Sequence, residues 1–146
     1  MIKNNFNPVP ANTDFERIRT DVYNAGGTIG SELQASGGLA PELSASDMFS
    51  GLEMPSTLNL SLFDFPRQDS TNNLITDRIE WAEKVADRYD EHDAIVVALG
   101  TDTAAESGAY LTMIFRDTLN RPVTLLSAND PRKELGGDFR NQIENA

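Results

Sequence analysis

An uninterrupted apolar run, AIVVAL at residues 94–99, restricts the folds open to this chain more than any other feature. A strand with one face in water alternates apolar and polar residues, but this run has no polar position and ends at Gly100. Strands of this kind lie inside parallel sheets that helices cover on both faces. The run therefore predicts an α/β protein with an inner strand at residues 94–99.

Strand and helix patterns alternate along the rest of the chain. Strands are predicted at residues 17–24, 56–65 and 121–128, and helices at 44–52, 71–91, 103–119 and from about Gly136. Residues 30–42, rich in Gly and Ser, predict a mobile surface loop. The alternation predicts a mostly parallel sheet with flanking helices, a three-layer flavodoxin/Rossmann-like fold with right-handed crossovers.

Side-chain patterns add expectations within these elements. Ser44 and Asp47 have the spacing of a capping box for the helix at 44–52. His92 follows a run of charged residues and is expected to face solvent, without a role. The apolar residues of the helix at 71–91 recur at helical spacing and are expected to face the core: Leu74, Ile75, Ile79, Ala82, Val85, Ala86 and Tyr89.

Length and composition limit the class of protein. The 146 residues suffice for one domain, with residues 1–16 expected as an extended arm that packs on a neighbour and 17–146 as the α/β domain. A net charge of −11 disfavours nucleic acid and anionic membranes as partners. The absence of cysteine excludes disulfides, thiolate metal sites and cysteine nucleophiles. No apolar stretch resembles a signal peptide or a membrane span, so a cytoplasmic location is expected.

Two similar loops follow predicted parallel strands, AGGTIGS at 25–31 and LGTDTAAES at 99–107. Considered alone, Thr101 or Asp102 is explained as an ordinary helix N-cap. As a pair, the loops bring backbone N–H groups that suit a carboxylate, an aspartate that suits an ammonium group, and two threonine hydroxyls to one sheet edge. The pair therefore predicts a site for a small amino acid.

These motifs resemble those of the bacterial-type L-asparaginase/glutaminase family. AGGTIGS and VVALGTDTAAESGAYLTMI resemble its two threonine signatures, and GGLAPELSASDMF its flexible loop and short helix. DSTNN resembles the stretch that touches the substrate, and RPVTLLSANDPRKELGGDFRNQIENA resembles the strand and helix start that follow the second signature. The similarity is collinear from about residue 20 and implies the fold of that family's N-terminal domain.

The resemblance also implies roles for individual residues. Thr28 corresponds to the nucleophile that forms an acyl-enzyme with the side-chain amide carbon, and Thr101 to the second catalytic threonine. Asp102 corresponds to the residue that binds the substrate α-amino group, and Ser70 to the serine that binds the α-carboxylate. Contributions to substrate binding are also implied for Asp69, Gly27, Gly100 and Thr103. No metal or cofactor is implied.

The sequence departs from the family pattern at its catalytic bases. It ends before the segment that carries the family's lysine and before the smaller second domain, Leu39 stands near the place of the loop tyrosine, and Leu99 replaces a histidine. Neither threonine then has an evident base, so impaired hydrolysis is expected. Lys133 is a possible substitute, although a surface lysine is the simpler interpretation.

The leading prediction is an amidohydrolase domain that binds a small amino acid amide, L-asparagine or L-glutamine. The alternative is a non-catalytic ligand-binding or structural subunit of a larger assembly. A third interpretation takes GGTIG as a phosphate-binding turn, but the chain lacks a P-loop lysine and a full G-x-G-x-x-G. The last helix offers only Phe139 and Ile143 as an apolar face and the last strand an open edge, which predicts a homo-oligomer or a larger partner.

Overall fold

The computed structural model describes residues 17–115, 120–131 and 138–144. The predicted arm at 1–16 and Lys133 lie outside the described residues. The strands are β1 (Ile18–Gly26), β2 (Glu32–Leu33), β3 (Leu39–Ala40), β4 (Leu58–Gln68), β5 (Ala94–Ala98) and β6 (Val123–Leu126). The helices are α1 (Ala45–Phe49), α2 (Ile75–Arg88), α3 (Ala104–Phe115) and α4 (Phe139–Glu144).

The described residues form a four-stranded parallel sheet in the order β4-β1-β5-β6. Strands β1 and β5 are the inner pair, in register from Thr20 beside Ala94 to Asn24 beside Ala98. The apolar run at 94–99 thus supplies an inner strand. Helices cover both faces of the sheet, so side chains on both faces of this strand are buried or partly buried and need to be apolar. The predicted α/β fold with a mostly parallel sheet is confirmed.

An aromatic core lies between one sheet face and α2. Tyr23 stacks on Phe65 with ring centroids 5.3 Å apart, and Phe65 stacks on Trp81 at 5.7 Å. Trp81 and Val85 are buried on α2, and Leu99 is buried in the same cluster. The large indole therefore sets which face of α2 turns inward.

The predicted buried face of α2 is wrong in part. Ala82, Val85 and Tyr89 are buried as expected, in phase with Trp81. Ile79 is 41% exposed because it lies a third of a turn from the face that Trp81 occupies, and Arg78 is buried in its place. Also exposed are Leu74, Ile75 and Ala86.

The opposite face of the sheet carries α1 and α4. Met48 of α1 and Phe139 and Ile143 of α4 are buried in one apolar cluster with Ile29. The predicted capping box is confirmed, since Ser44 Oγ accepts from Asp47 N–H at 3.0 Å and Asp47 Oδ2 accepts from Ser44 N–H at 3.1 Å. Residues 30–42 are not wholly loop, because β2 and β3 pair antiparallel within them.

The prediction for His92 is wrong. A 3₁₀ turn at Tyr89–Glu91 ends α2 and directs His92 back against β1, where the side chain is 8% exposed. Its Nε2 lies 2.9 Å from Oδ1 of the buried Asp21, whose Oδ2 lies 3.0 Å from Arg88 Nε. The buried carboxylate on β1 needs ionic and hydrogen-bonding partners, which explains why His92 faces inward.

Candidate functional site

The candidate site lies where the strand order reverses. From β1 the chain crosses to β4 on one side and then returns to β5 on the other, so the segments that follow β1 and β5 diverge at their carboxyl ends. Open α/β sheets bind ligands in the crevice that this reversal creates. The segments that meet here follow β1, β4 and β5, and they contain the predicted residues.

Glycines let the three segments come together. Gly27 has φ +76°, a left-handed conformation that L side chains rarely adopt. A Cβ added there would overlap the backbone of Gly100, and a Cβ on Gly100 would overlap the side chain of Ser70. The segments after β1, β4 and β5 are therefore in direct contact, with Thr28 and Thr101 each one residue beyond the contacting glycines.

The turn that carries Thr28 is held by Asn24, a residue that the sequence patterns did not single out. The fully buried Asn24 side chain donates to Asp64 Oδ1 and to Leu43 O, both at 2.9 Å, and its Oδ1 accepts from Gly26 N–H at 3.0 Å. Thr28 then begins a 3₁₀ turn, Thr28–Gly30, and is half-buried. The signal in the sequence was a polar amide two residues before the glycines of the turn.

Ser70 and Asp102 are joined by a hydrogen bond. Ser70 is buried, with 3% of its surface exposed. Its hydroxyl donates to Asp102 Oδ2 at 3.1 Å. Ser70 begins the 3₁₀ turn Ser70–Asn72, and Asp102 lies in the turn Thr101–Thr103, with its side chain exposed. A buried hydroxyl beside an exposed carboxylate offers two polar groups to one small ligand.

Asp69 stabilises the turn that presents Ser70. Its Oδ1 accepts from Thr71 N–H at 2.9 Å and from Thr71 Oγ1 at 2.8 Å. These two hydrogen bonds hold the pKa of the Asp69 carboxyl below its usual value. The observed contacts of Asp69 are therefore those of a capping residue.

In the part of the chain that the structure describes, neither threonine hydroxyl is hydrogen-bonded to a base. No hydrogen bond joins the side chain of Thr28 or Thr101 to any described residue. Leu39 lies on β3 and is 50% exposed, whereas Leu99 is fully buried in the core. Tyr23 is buried against Phe65, so its phenol belongs to the core.

The described part of the chain contains neither a metal-binding cluster nor a membrane-spanning helix. Among residues 17–115, 120–131 and 138–144, no three His, Asp or Glu side chains are grouped to hold a metal ion. Within the same ranges, the structure contains no helix with the length and apolar character needed to cross a membrane.

Comparison with known proteins relates the whole α/β domain to one family. The family model described as the N-terminal domain of asparaginase matches residues 20–146. L-asparaginase 1 of Escherichia coli is 30% identical over 128 residues, which cover 83% of this chain and 37% of that protein. The D subunit of the glutamyl-tRNA(Gln) amidotransferase of Thermoplasma volcanium is 29% identical over 122 residues, or 83% of this chain and 30% of that protein.

Solved structures give the same relationship. The thermostable L-asparaginase from Thermococcus kodakarensis superposes with a TM-score of 0.75 at 28% identity, covering 88% of this chain and 39% of that one. A probable cytoplasmic L-asparaginase from Campylobacter jejuni, at 24% identity and a TM-score of 0.75, shares the fold over 88% of this chain and 41% of its own length. The chain thus spans well under half the length of the relatives it matches.

Proposed function

The chain belongs to the asparaginase family, and on that premise we propose that its site binds a small amino acid amide, L-asparagine or L-glutamine, and that Thr28 attacks the side-chain amide. The observation that carries the proposal is the contact of Gly27, Gly100 and Ser70, with Ser70 bonded to Asp102 at 3.1 Å. That contact supports a crevice with a hydroxyl, a carboxylate and two threonines along it.

Binding uses the two groups that are hydrogen-bonded to each other in the structure. The Asp102 carboxylate is exposed and accepts hydrogen bonds from the substrate ammonium group. The Ser70 hydroxyl then donates to the substrate α-carboxylate in place of Asp102. Asp69 acts through the turn it caps, while Gly27, Gly100 and Thr103 give the crevice its shape.

Hydrolysis would proceed through an acyl-enzyme. Thr28 Oγ1 attacks the amide carbon and gives up its hydroxyl proton, while backbone N–H groups near Thr101 stabilise the oxyanion. The C–N bond then breaks, and the amide nitrogen takes up that proton and leaves as ammonia. Water then attacks the ester and releases the acid. A missing general base typically costs ~10²–10⁴-fold in rate, so the described residues alone support slow turnover.

Ammonia release from L-asparagine and L-glutamine tests the catalytic part of the proposal. The wild-type chain should release ammonia slowly, and Thr28→Ala and Thr101→Ala should abolish that release. Thr112→Ala on the exposed side of α3 is the matched control and should retain wild-type activity. Equal activity in all four proteins, or activity in none, would remove the catalytic claim.

The second candidate function is a non-catalytic subunit of an assembly that keeps the ligand site. Two observations favour it: the lack of a hydrogen-bonded base at either threonine among the described residues, and the similarity to one subunit of an amidotransferase. Saturable heat on titration with L-aspartate, without ammonia release, would favour a ligand-binding subunit. A purely structural subunit would show neither.

We also propose that the chain associates, with a second copy of itself or with a larger partner. Half-exposed apolar residues remain on the sheet face opposite α2, among them Ile18 at 47% exposure, Leu58 and Leu60. Apolar surface of this kind favours association. Light scattering after size exclusion should show a mass above that of one chain, and a monomer at high concentration would contradict this.

A further inference from the structure

A second polar cleft lies beside the candidate site, between the amino ends of α2 and α3. It is lined by the residues that follow Ser70 and Asp102 on their turns and by the first turns of the two helices, chiefly Thr71, Asn73, Leu74, Arg78, Thr103 and Glu106. None of the roles proposed above uses Asn73, Arg78 or Glu106.

Buried polar groups in this cleft lack partners among the described residues. Asn73 is 9% exposed, and neither its Nδ2 nor its Oδ1 has a hydrogen-bond partner. Arg78 is 6% exposed, and its Nε is also without one, as is Thr103 Oγ1. Because folded proteins pair nearly all buried polar atoms, so many orphaned groups around one open cleft indicate a site for a ligand.

The orphaned groups are mostly donors. Arg78 Nε and Asn73 Nδ2 can only donate, and the Thr103 hydroxyl can donate as well. The cleft also lies at the amino ends of two helices of 14 and 12 residues, α2 and α3, where the helix dipole favours negative charge. The complementary ligand group is therefore an oxygen anion.

The charge balance selects the kind of anion. Arg78 already pairs with Glu106, with Nη2 and Oε2 2.9 Å apart, and the Glu106 side chain is 65% exposed. A doubly charged phosphate would be repelled by this carboxylate and by the net charge of −11. A carboxylate has one charge and two planar oxygens, which suit a guanidinium edge and an amide N–H.

We propose that this cleft is a second ligand site that binds a carboxylate through Arg78, Asn73 and Thr103. The site does not include the Ser70–Asp102 pair and does not depend on the amidohydrolase activity, and Thr103 borders both sites. Leu74 and Ile75, which are 64% and 55% exposed at its rim, give it room for a short apolar carbon chain.

Butyrate is a suitable probe because it has a single carboxylate on a short apolar chain and no ammonium group for Asp102. Titration into ¹⁵N-labelled protein should shift the Arg78 Nε–H and Asn73 side-chain NH₂ signals in a saturable way. Arg78→Gln should weaken the apparent affinity at least about tenfold, since it removes a charged donor. Arg19→Gln, which breaks an exposed ion pair with Asp93, is the matched control and should bind like wild type.

Several outcomes would overturn the proposal. One is that the Arg78 and Asn73 signals do not saturate, and another is that sodium chloride at equal ionic strength reproduces their shifts. Signals that respond to protein concentration and not to butyrate would instead show a protein interface. If Arg78→Gln does not fold by circular dichroism, Asn73→Ser takes its place and should also weaken binding. Asp102→Asn should leave the butyrate response unchanged, which separates this site from the proposed amide site.

Discussion

At the scale of single residues, the candidate site depends on glycines that have no room for a side chain. A Cβ on Gly100 would overlap the Ser70 side chain, which is itself buried and bonded to Asp102. The hydroxyl and carboxylate are therefore held together by the fit of backbone against backbone. We therefore expect the site to tolerate few changes at these glycines, which carry no functional group.

Gly100→Ala should destabilise the fold because the new methyl group forces the segments after β4 and β5 apart. We expect a loss of about 1–3 kcal/mol in the free energy of unfolding, the usual cost of overpacking. Urea denaturation measures it. Gly38→Ala is the control, since nothing lies within 4 Å of a Cβ at that position. Equal stability of the two variants would contradict the proposed contact.

The Tyr23 phenol makes stability depend on alkaline pH. Burial, and then the neighbouring Asp21 charge, raise the pKa of Tyr23 above its usual value of about 10. The native phenol thus keeps its proton where the unfolded one loses it. Its stabilising contribution is complete below pH 10 and is lost as the pH rises above that value.

Urea denaturation between pH 9 and 11 tests this linkage. Wild type should lose stability over this range, and Tyr23→Phe should lose less because it has no phenol to ionise. Tyr110→Phe is the control: it keeps the buried phenol of Tyr23 and should follow wild type. A parallel fall in Tyr23→Phe would show that other groups cause the alkaline loss.

At the residue scale, the sequence indicated candidate site residues but not the contacts that support them. Thr28, Thr101 and Asp102 were predicted from the two glycine-containing turns and Ser70 from the family resemblance, and their roles stay predictions. His92 was misplaced because its partner Asp21 lies 71 positions away in the chain, and no local pattern reports a buried polar contact at that separation.

At the scale of elements, the periodicity of α2 shows where patterns fail. The sequence located the helix, but Ile79 and Trp81 compete for the inward face, and the larger ring is the one that is buried. Three-residue turns such as Ser70–Asn72 were also not predicted, because they depend on packing between segments. The order of the strands in the sheet could not be predicted from the sequence periodicity for the same reason.

Helix α4 is tied to the sheet by Asp138 at its start. Asp138 Oδ2 accepts from Asn129 N–H and Oδ1 from Asp130 N–H, both at 3.0 Å, and these bonds lower the pKa of the Asp138 carboxyl. The stabilisation is therefore complete above the usual carboxyl pKa of about 4 and is lost as the pH falls below it.

Asp138→Ala should release α4 and cost about 1–2 kcal/mol at neutral pH, the value of hydrogen bonds to a charged group. Urea denaturation at pH 7 and pH 3 measures the effect, which should shrink at the lower pH. Asp87→Ala, on the exposed side of α2, is the control and should change stability by less than about 0.5 kcal/mol. A loss in Asp138→Ala that is the same at both pH values would contradict the role of the carboxylate.

At the scale of the whole molecule, the reversal of strand order determines where the candidate site lies. The order β4-β1-β5-β6 brings three motifs that are far apart in the chain together at one edge of the sheet. The parallel α/β fold followed from the alternation of strands and helices, and residues 20–146 match the asparaginase N-terminal domain. The chain covers 37–41% of the L-asparaginases compared above, so its activity remains a proposal.

Recognition of an amino acid through Asp102 underlies the proposed function. Calorimetric titration with L-aspartate is its decisive test, with Asp102→Asn and the exposed Asp87→Asn as matched variants. Wild type and Asp87→Asn should give the same saturable heat, and Asp102→Asn should bind at least about tenfold more weakly because it loses a charged acceptor. Unchanged binding in Asp102→Asn, or no saturable heat in wild type, would contradict the claim.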